Sequence, residues 1–484
     1  METSGTVGTL VRDLTQIVGP DHVIWRPEDL IVYEYDGSID HSVPAVVVVP
    51  ASTEEVSESV RLANHHGLAI VPRGAGTGLS GGAVPPSGAM VIALTRLTKI
   101  INVDPINHVA IVEPGLVNIQ LSEAVAKHGL YYVPDPSSQR ACTIGGNVAE
   151  NAGGPHCLAY GVTTNHVLGI EIVLADGSTV WLGGAEREHL GYDLRAAFIG
   201  SEGTLGIATR IALRLIPLPE SVRTIVAPFH TLDQACLTVS DVIGSGIVPA
   251  ALEMIDRVTI EAVEPVYQPG YPASAAAVLL VEVDGLIETV REQAQVIETI
   301  CKARGADEIR VADDPQSRAN LWASRKGAIG ALGTMAPNYY LVDGVVPRTR
   351  LQEVMARVSE IGKQFKLPIA NVFHAGDGNL HPCILFDERQ PGDVERVVEA
   401  GARILEICVA VGGALSGEHG IGLEKQSYMG LVFNPADLEA MAKLRPAFGA
   451  GLTFNPDKIF PGSSPNAHGV HRTSIRSTGS GDVV

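Results

Sequence analysis

Short apolar runs alternate along the chain with stretches in which an apolar residue returns every three or four positions, the mark of strands alternating with amphipathic helices. Residues 45–50 read AVVVVP, the stretch TEEVSESVRLANHHG has helical spacing, and LAIVP is strand-like again, so a β-α-β unit is expected. Further strand-like runs follow at MVIAL, HVAIVEP, GIEIVLADG (ending in an Asp176-Gly177 turn), TVWL and GIATRIALRLIP. From Val222 the rhythm changes to strand-like TIVAPF, helical TLDQACLTVSDVIG, strand-like AAAVLLVEVDG and a helix from about Glu288 to Arg304. YYLVDGVVP, a helix from Arg350 to Phe365, LPIANVFHAG, HPCILF and a helix near Val394 to Val411 repeat that rhythm. This predicts two related α+β units with helices on one face, as in ferredoxin-like repeats. The expected organisation is a helical segment at 1–40, a mixed domain at 41–219, an α+β domain at 220–462 and a tail at 463–484. The tail is polar and rich in glycine and serine, and is expected to be disordered.

At 484 residues the chain exceeds what one core usually supports. Apolar residues make up 45% and charged residues 18%, below the roughly 25% typical of soluble domains, so much of the chain should lie inside or against a partner. A formal charge of -19 would repel a phosphate backbone and argues against nucleic-acid binding. The first residues lack the basic start and apolar run of a secretory signal, and no run reaches the roughly 18 apolar residues of a membrane span, so a cytoplasmic location is expected. Six scattered cysteines without CxxC spacing make neither a zinc nor an iron–sulfur set, nor a dense disulfide framework.

Two glycine-rich segments interrupt the first domain. Pro72–Gly82 reads PRGAGTGLSGG directly after the LAIV strand; Gly76, Gly78 and Gly81 satisfy G-x-G-x-x-G, but the following AVPPSGAM holds two consecutive prolines and cannot open the helix that a dinucleotide fingerprint needs. Successive backbone N–H groups can bind an anion without a helix, so the segment is either a cofactor loop or a flexible turn. Pro134–Gly154 reads PDPSSQRACTIGGNVAENAGG, too rich in small and amide residues to pack a core alone; it is a long surface loop or a functional one. Gly145, Gly146 and Gly153 would let the backbone approach a planar ligand, while Ser138, Asn147 and Asn151 supply donors and acceptors. GSEGTLGI at Gly200–Ile207 has similar chemistry.

In the second domain, NVFHAGDGNLHP sets His374 and His381 on either side of an Asp-Gly turn, and SGEHGIG sets Glu418 beside His419. Two histidines and a carboxylate suit zinc, manganese or iron(II), although each histidine could merely hydrogen-bond its turn. Histidines on loosely packed glycine-rich loops favour the chemical reading.

PRGAGTGLSGG, PDPSS and GGNVAENAGG together resemble the FAD-binding domain of the vanillyl-alcohol oxidase and p-cresol methylhydroxylase superfamily. From about residue 20 to 462 the chain is similar to the FAD-linked D-2-hydroxy-acid dehydrogenases that oxidise glycolate or D-lactate. The resemblance implies an α+β protein with a two-subdomain FAD-binding domain and a C-terminal cap domain for substrate and metal. Arg73 and the loop Gly74, Ala75, Gly76, Thr77 and Gly78 would hold the FAD pyrophosphate. The segment with Pro134, Ser138, Cys142, Thr143, Gly145, Gly146, Asn147 and Asn151 would run along the isoalloxazine and ribityl chain, followed by Gly153, Tyr160 and Gly161. Glu202, Gly203 and Ile207 would reach the adenosine side. Thr77 stands where some members carry a flavin-linked histidine, so noncovalent FAD is expected. Cys142 has only Arg140 nearby to activate it and reads as a small buried thiol.

By the same resemblance His374, His381 and Glu418 would be metal ligands, with Zn favoured and Mn or Fe allowed, and His419 the base. Arg325, by itself an ordinary solvated residue on a helix, would bind the substrate carboxylate. Members acting on 2-hydroxyglutarate have a lysine two residues before the following aspartate; Leu341 stands there, before Asp343, which favours a short monoacid. Glycolate-oxidising members work with a second flavoprotein-like subunit and an iron–sulfur subunit near the membrane, so such partners, and a peripheral membrane location through them, are implied. Two other readings share the fold. An alkyl-dihydroxyacetone-phosphate synthase-like, non-redox enzyme would need basic and long apolar surfaces that the sequence does not display. A catalytically silent, flavin-carrying assembly subunit is disfavoured by the intact set of three histidines and a glutamate.

Overall fold

The computed structural model describes residues 3–185, 191–312, 314–451 and 453–461; the tail expected to be disordered lies outside them. Its contacts divide the chain into two units, one made of Met1–Ala152, Val162–Pro217 and Glu418–Val484, the other of Gly153–Gly161 and Leu218–Gly417. The chain therefore changes unit at Gly417, a crossing with no counterpart in the sequence pattern, which runs on to 462 without a break.

The first unit opens with helix α1 (Thr3–Val18) and a four-stranded sheet of β1 (Val23–Ile24), β2 (Val46–Val48), β3 (Ile70–Arg73) and β4 (Met90–Ala93). The expected β-α-β unit is present as β2, α2 (Thr53–His65) and β3, with β4 lying between the two strands and parallel to both. The Ser52 hydroxyl starts α2 by accepting the Glu55 N–H at 3.2 Å. Its Val56, Val60 and Ala63, one helical face, pack with Val46, Val48, Ile70 and Ile92. The C-terminal segment returns to this sheet, where the Ile70 N–H donates to Thr453 O at 2.7 Å.

A second, antiparallel sheet orders β5 (Ile100–Asp104), β6 (Val109–Val112), β9 (Ile207–Arg214), β7 (Val167–Val173) and β8 (Thr179–Gly183) in that sequence across its width. Every residue of β7 is buried, which is why it reads as one apolar run. β5 has no fully buried residue and so shows no apolar alternation to betray it.

The other unit is built on a seven-stranded antiparallel sheet. Its strands and helices are β10 (Ser221–Phe229), α3 (Leu232–Gly244), β11 (Ala251–Asp256), α4 (Arg257–Tyr267), β12 (Ala277–Gly285), α5 (Ile287–Ala303), β13 (Arg310–Ala312), α6 (Pro315–Lys326), β14 (Asn338–Leu341), α7 (Leu351–Phe365), β15 (Ile369–Phe373), β16 (Pro382–Phe386) and α8 (Asp393–Ala410). The order across the sheet is β13-β10-β12-β11-β15-β16-β14, so the halves seen in the sequence join where β11 pairs with β15, Met254 opposite Phe373. Among the described residues no helix is long and apolar enough to cross a membrane.

Candidate active site

β3 delivers Arg73 to the start of the first glycine-rich segment, and Gly74–Leu79 continue as a partly exposed coil with no helix after it. Among the described residues, the five successive amides of Gly74, Ala75, Gly76, Thr77 and Gly78 donate no hydrogen bond within the protein. Such a run of unpaired donors suits the diphosphate of a flavin nucleotide. The Arg73 guanidinium turns back into the fold, donating to Ala83 O at 3.3 Å and lying 5.7 Å over the Tyr33 ring. Burial lowers its pKa, and Asp36 opposes that. Gly76 sits at φ +70, a left-handed conformation that glycine adopts without cost.

The second segment is not a loop throughout, because Ile144–Glu150 forms a helix inside it. The Thr143 hydroxyl caps its start by accepting the Gly146 N–H at 3.2 Å, and Asn151 closes it in a left-handed conformation, φ 53. Paired glycines at 145 and 146 hid it, since they lower helix propensity. Gly145 is required for packing: its N–H donates to Pro114 O at 2.7 Å, and a Cβ would come within 2.5 Å of the Pro114 ring. A Cβ on Gly74 would overlap the Thr143 hydroxyl, so the first segment seats directly on the helix start. Asn118 Nδ2 donates to both Pro134 O and Asn147 Oδ1 at 2.8 Å, and Asn147 Nδ2 reaches Cys142 Sγ at 3.4 Å. Ser138 O receives the Cys142 N–H, and Asn151 Oδ1 the Thr164 N–H, both at 2.9 Å. Most of these amides and carbonyls hold the segment's own shape. Burial pushes the Cys142 thiol up, which disfavours the nucleophilic thiolate.

Gly203 (φ 67) sets its backbone against Pro72, and Ile207 is buried at the start of β9. The Glu202 carboxylate, also buried, turns to the His419 loop, where Oε1 accepts the Ile421 N–H and Oε2 the Gly422 N–H, each at 2.7 Å. Burial raises its pKa to about 7 against those two donors. Glu150 is raised as well, by burial and then by Glu202. In the same loop, His419 Nε2 lies 4.0 Å from Glu418 Oε1.

In the other unit, His374 follows β15 and His381 precedes β16, and the turn between them brings the rings edge to face, centroids 5.0 Å apart at 81°. Gly378 makes that turn at φ +82, and the Val346 N–H donates to its carbonyl at 3.0 Å. His374 Nδ1 lies 2.8 Å from Glu253 Oε1, a pairing that assigns Nδ1 the proton and makes Nε2 the lone-pair nitrogen. Glu253 projects from β11, is 1% exposed, and is ion-paired to Arg325, which is 2% exposed. Burial alone would raise the Glu253 pKa, but the Arg325 guanidinium and His374 hold it below its ordinary value. Arg325 is therefore not a solvated helix residue; its Nε makes no hydrogen bond among the described residues. His381 Nε2 lies 3.1 Å from Asn379 Oδ1. Asp343 accepts from Asn379 Nδ2 at 2.7 Å, from the Ser416 hydroxyl at 2.6 Å and from the Gly417 N–H at 3.1 Å. It thus ties the histidine turn to the residue that precedes Glu418. Leu341 is buried at the end of β14.

Gly153, Tyr160 and Gly161, expected along the cofactor, belong to this second unit, where the Tyr160 hydroxyl donates to Asp284 Oδ2 at 2.6 Å. Glu253 and the anchoring part of Asp343 escaped the sequence reading. The signal available for Glu253 was an acid flanked by Leu252, Met254 and Ile255 in a run that reads as core.

Residues 44–183 match the family model of an FAD binding domain, and residues 218–459 that of FAD linked oxidases, C-terminal domain. Over 440 residues the chain is 43% identical to glycolate oxidase subunit GlcD of Escherichia coli (strain K12), covering 91% of this chain and 88% of that relative. It is 34% identical over 428 residues to a D-lactate dehydrogenase of Anaerostipes hadrus, covering 86% and 89%. Among solved structures, p-cresol methylhydroxylase with substrate bound matches with a TM-score of 0.79 at 16% identity, covering 94% of this chain and 97% of that one. That last likeness is one of fold, and it bears out the fold expected from the glycine-rich segments.

Proposed function

The chain belongs to the FAD-linked oxidase family, and from that premise we propose that it oxidises a small 2-hydroxy acid, glycolate to glyoxylate or D-lactate to pyruvate, with noncovalently held FAD as hydride acceptor. The observation that carries this reading is the buried chain Arg325–Glu253–His374, which combines a guanidinium, a carboxylate and an imidazole of fixed tautomer. When bound, FAD supplies the hydride acceptor at N5, and a divalent metal, Zn or else Mn or Fe, acidifies the substrate hydroxyl. His374, His381 and Glu418 would hold that metal, with Glu253 orienting His374 for the task. Arg325 binds the substrate carboxylate through its N–H edge, for which the unpartnered Nε is suited. The His419 imidazole takes the hydroxyl proton as the α-hydrogen leaves. Leu341 offers no cation to a distal carboxylate, so a monoacid fits better than a diacid. A second flavoprotein-like subunit and an iron–sulfur subunit would receive the electrons, with the assembly in the cytoplasm or peripheral at the membrane.

Metal removal tests the ligand set. Dialysis against a chelator should leave FAD bound and abolish flavin reduction by the acid, and Zn or Mn should restore it. Full reduction by metal-free protein would dismiss the metal from the reaction.

A further inference from the structure

Among the site residues assigned to the nucleotide, Glu202 departs furthest from that role. It is a non-glycine residue in the left-handed region, φ 52, a conformation that persists only where the surroundings enforce it. Its own carbonyl is held by Asn455 Nδ2 at 2.6 Å. Its carboxylate, buried from water, spends both oxygens on the amides of Ile421 and Gly422. These residues stand two and three places after His419. Gly420, between them, is left-handed at φ +87; a Cβ there would overlap Glu150 Oε2 and come within 2.9 Å of Glu202 Oε1. Lys425, fully buried, donates from Nζ to Gly420 O at 3.1 Å. Beyond Gly422, the N–H groups of Leu423 and Glu424 donate to Ser80 O at 2.9 and 3.1 Å. The loop carrying His419 is therefore gripped on its amides by one carboxylate and on a carbonyl by one ammonium. Two backbone N–H bonds to one buried side chain fix the loop's place against Glu202, because breaking either would leave a buried polar group unpaired.

We propose that Glu202 is a positioning residue for His419, its carboxylate setting the loop so that the imidazole meets the substrate hydroxyl. This rests on His419 being the base. In this role Glu202 acts through the loop, by its bonds to the Ile421 and Gly422 amides, and Lys425 holds the Gly420 carbonyl beside it.

The test compares Glu202→Ala, Glu202→Gln, His419→Ala and the double variant Glu202→Ala/His419→Ala in FAD-loaded protein, reduced anaerobically with glycolate and with D-lactate in separate runs. Glu202→Ala should slow flavin reduction at saturating acid by roughly a hundred-fold, the scale of a misplaced catalytic group, with KM little changed. Glu202→Gln, which keeps one acceptor oxygen, should recover part of the rate. The double variant should be no slower than His419→Ala alone, because a displaced loop costs nothing once the imidazole is gone. Independently of turnover, amide exchange at Ile421 and Gly422 should quicken in FAD-loaded Glu202→Ala protein and less in Glu202→Gln. Losses that multiply in the double variant, or a wild-type rate in Glu202→Ala beside an inactive His419→Ala, overturn the positioning role alone. A wild-type rate in His419→Ala, or no reduction of the parent protein by either acid, removes the base assignment and this proposal with it. Should Glu202→Ala fail to hold FAD, the Glu202→Gln pair, single and with His419→Ala, carries the same comparison.

Discussion

Glu253 and Arg325 are charges withdrawn from water that hold each other, and His374 shares the carboxylate. Removing one partner of a buried pair strands the other, so Glu253→Ala should lose about 3–5 kcal/mol of stability in denaturant unfolding. It should also weaken metal binding by about 10- to 100-fold in a competition titration, since His374 loses the acceptor that orients it. Normal metal affinity in this variant would detach Glu253 from the site. His419→Ala should keep FAD yet lose roughly 10²- to 10⁴-fold in flavin reduction, the usual contribution of a positioned base. An unchanged rate would take the base role from it. Of these residues, His374, His381, Glu418 and His419 stand out in the sequence as candidates because they sit on glycine-rich turns; their roles belong to the proposal above. Glu253 did not stand out, because an acid between Leu252 and Met254 looks like a flaw in a core strand until its partners, distant in sequence, are seen around it.

Elements whose residues follow one period were readable, and those built on exceptions were not. β2, α2, β3 and β7 stand where the apolar pattern puts them, whereas the helix at Ile144–Glu150 hides behind two glycines and depends on the Thr143 and Asn151 caps. Thr143→Ala should therefore cost about 1 kcal/mol, read as a lower midpoint in denaturant unfolding. The turn at Gly378 has a similar dependence on one residue. It is left-handed, and a Cβ would overlap the Val346 carbonyl, so Gly378→Ala should move His374 and His381 apart. Metal retention should fall in that variant while FAD retention stays; equal retention of both would show that the turn does not hold the ligands.

At the scale of the whole molecule, the residues after Gly417 return to the first unit, a crossing that no periodicity announces. That return brings Glu202 and Glu150 into one buried cluster with the His419 loop, and the cluster should be visible in stability against pH. Glu202 rises from 4.5 to about 7, mainly through burial, so the folded protein binds its proton more tightly than the unfolded chain does. Its stabilising contribution is complete below the unfolded value and lost as pH climbs through about 7. The stability difference between the parent protein and Glu202→Gln should accordingly move against the parent over that window; a difference independent of pH would contradict the shift. The central claim, oxidation of a small 2-hydroxy acid at the flavin, is tested most directly by mixing FAD-loaded protein anaerobically with glycolate, D-lactate or L-lactate and following the visible flavin absorbance. Rapid bleaching by glycolate or D-lactate is the expected result, and persistence of the oxidised spectrum with all three acids would contradict it.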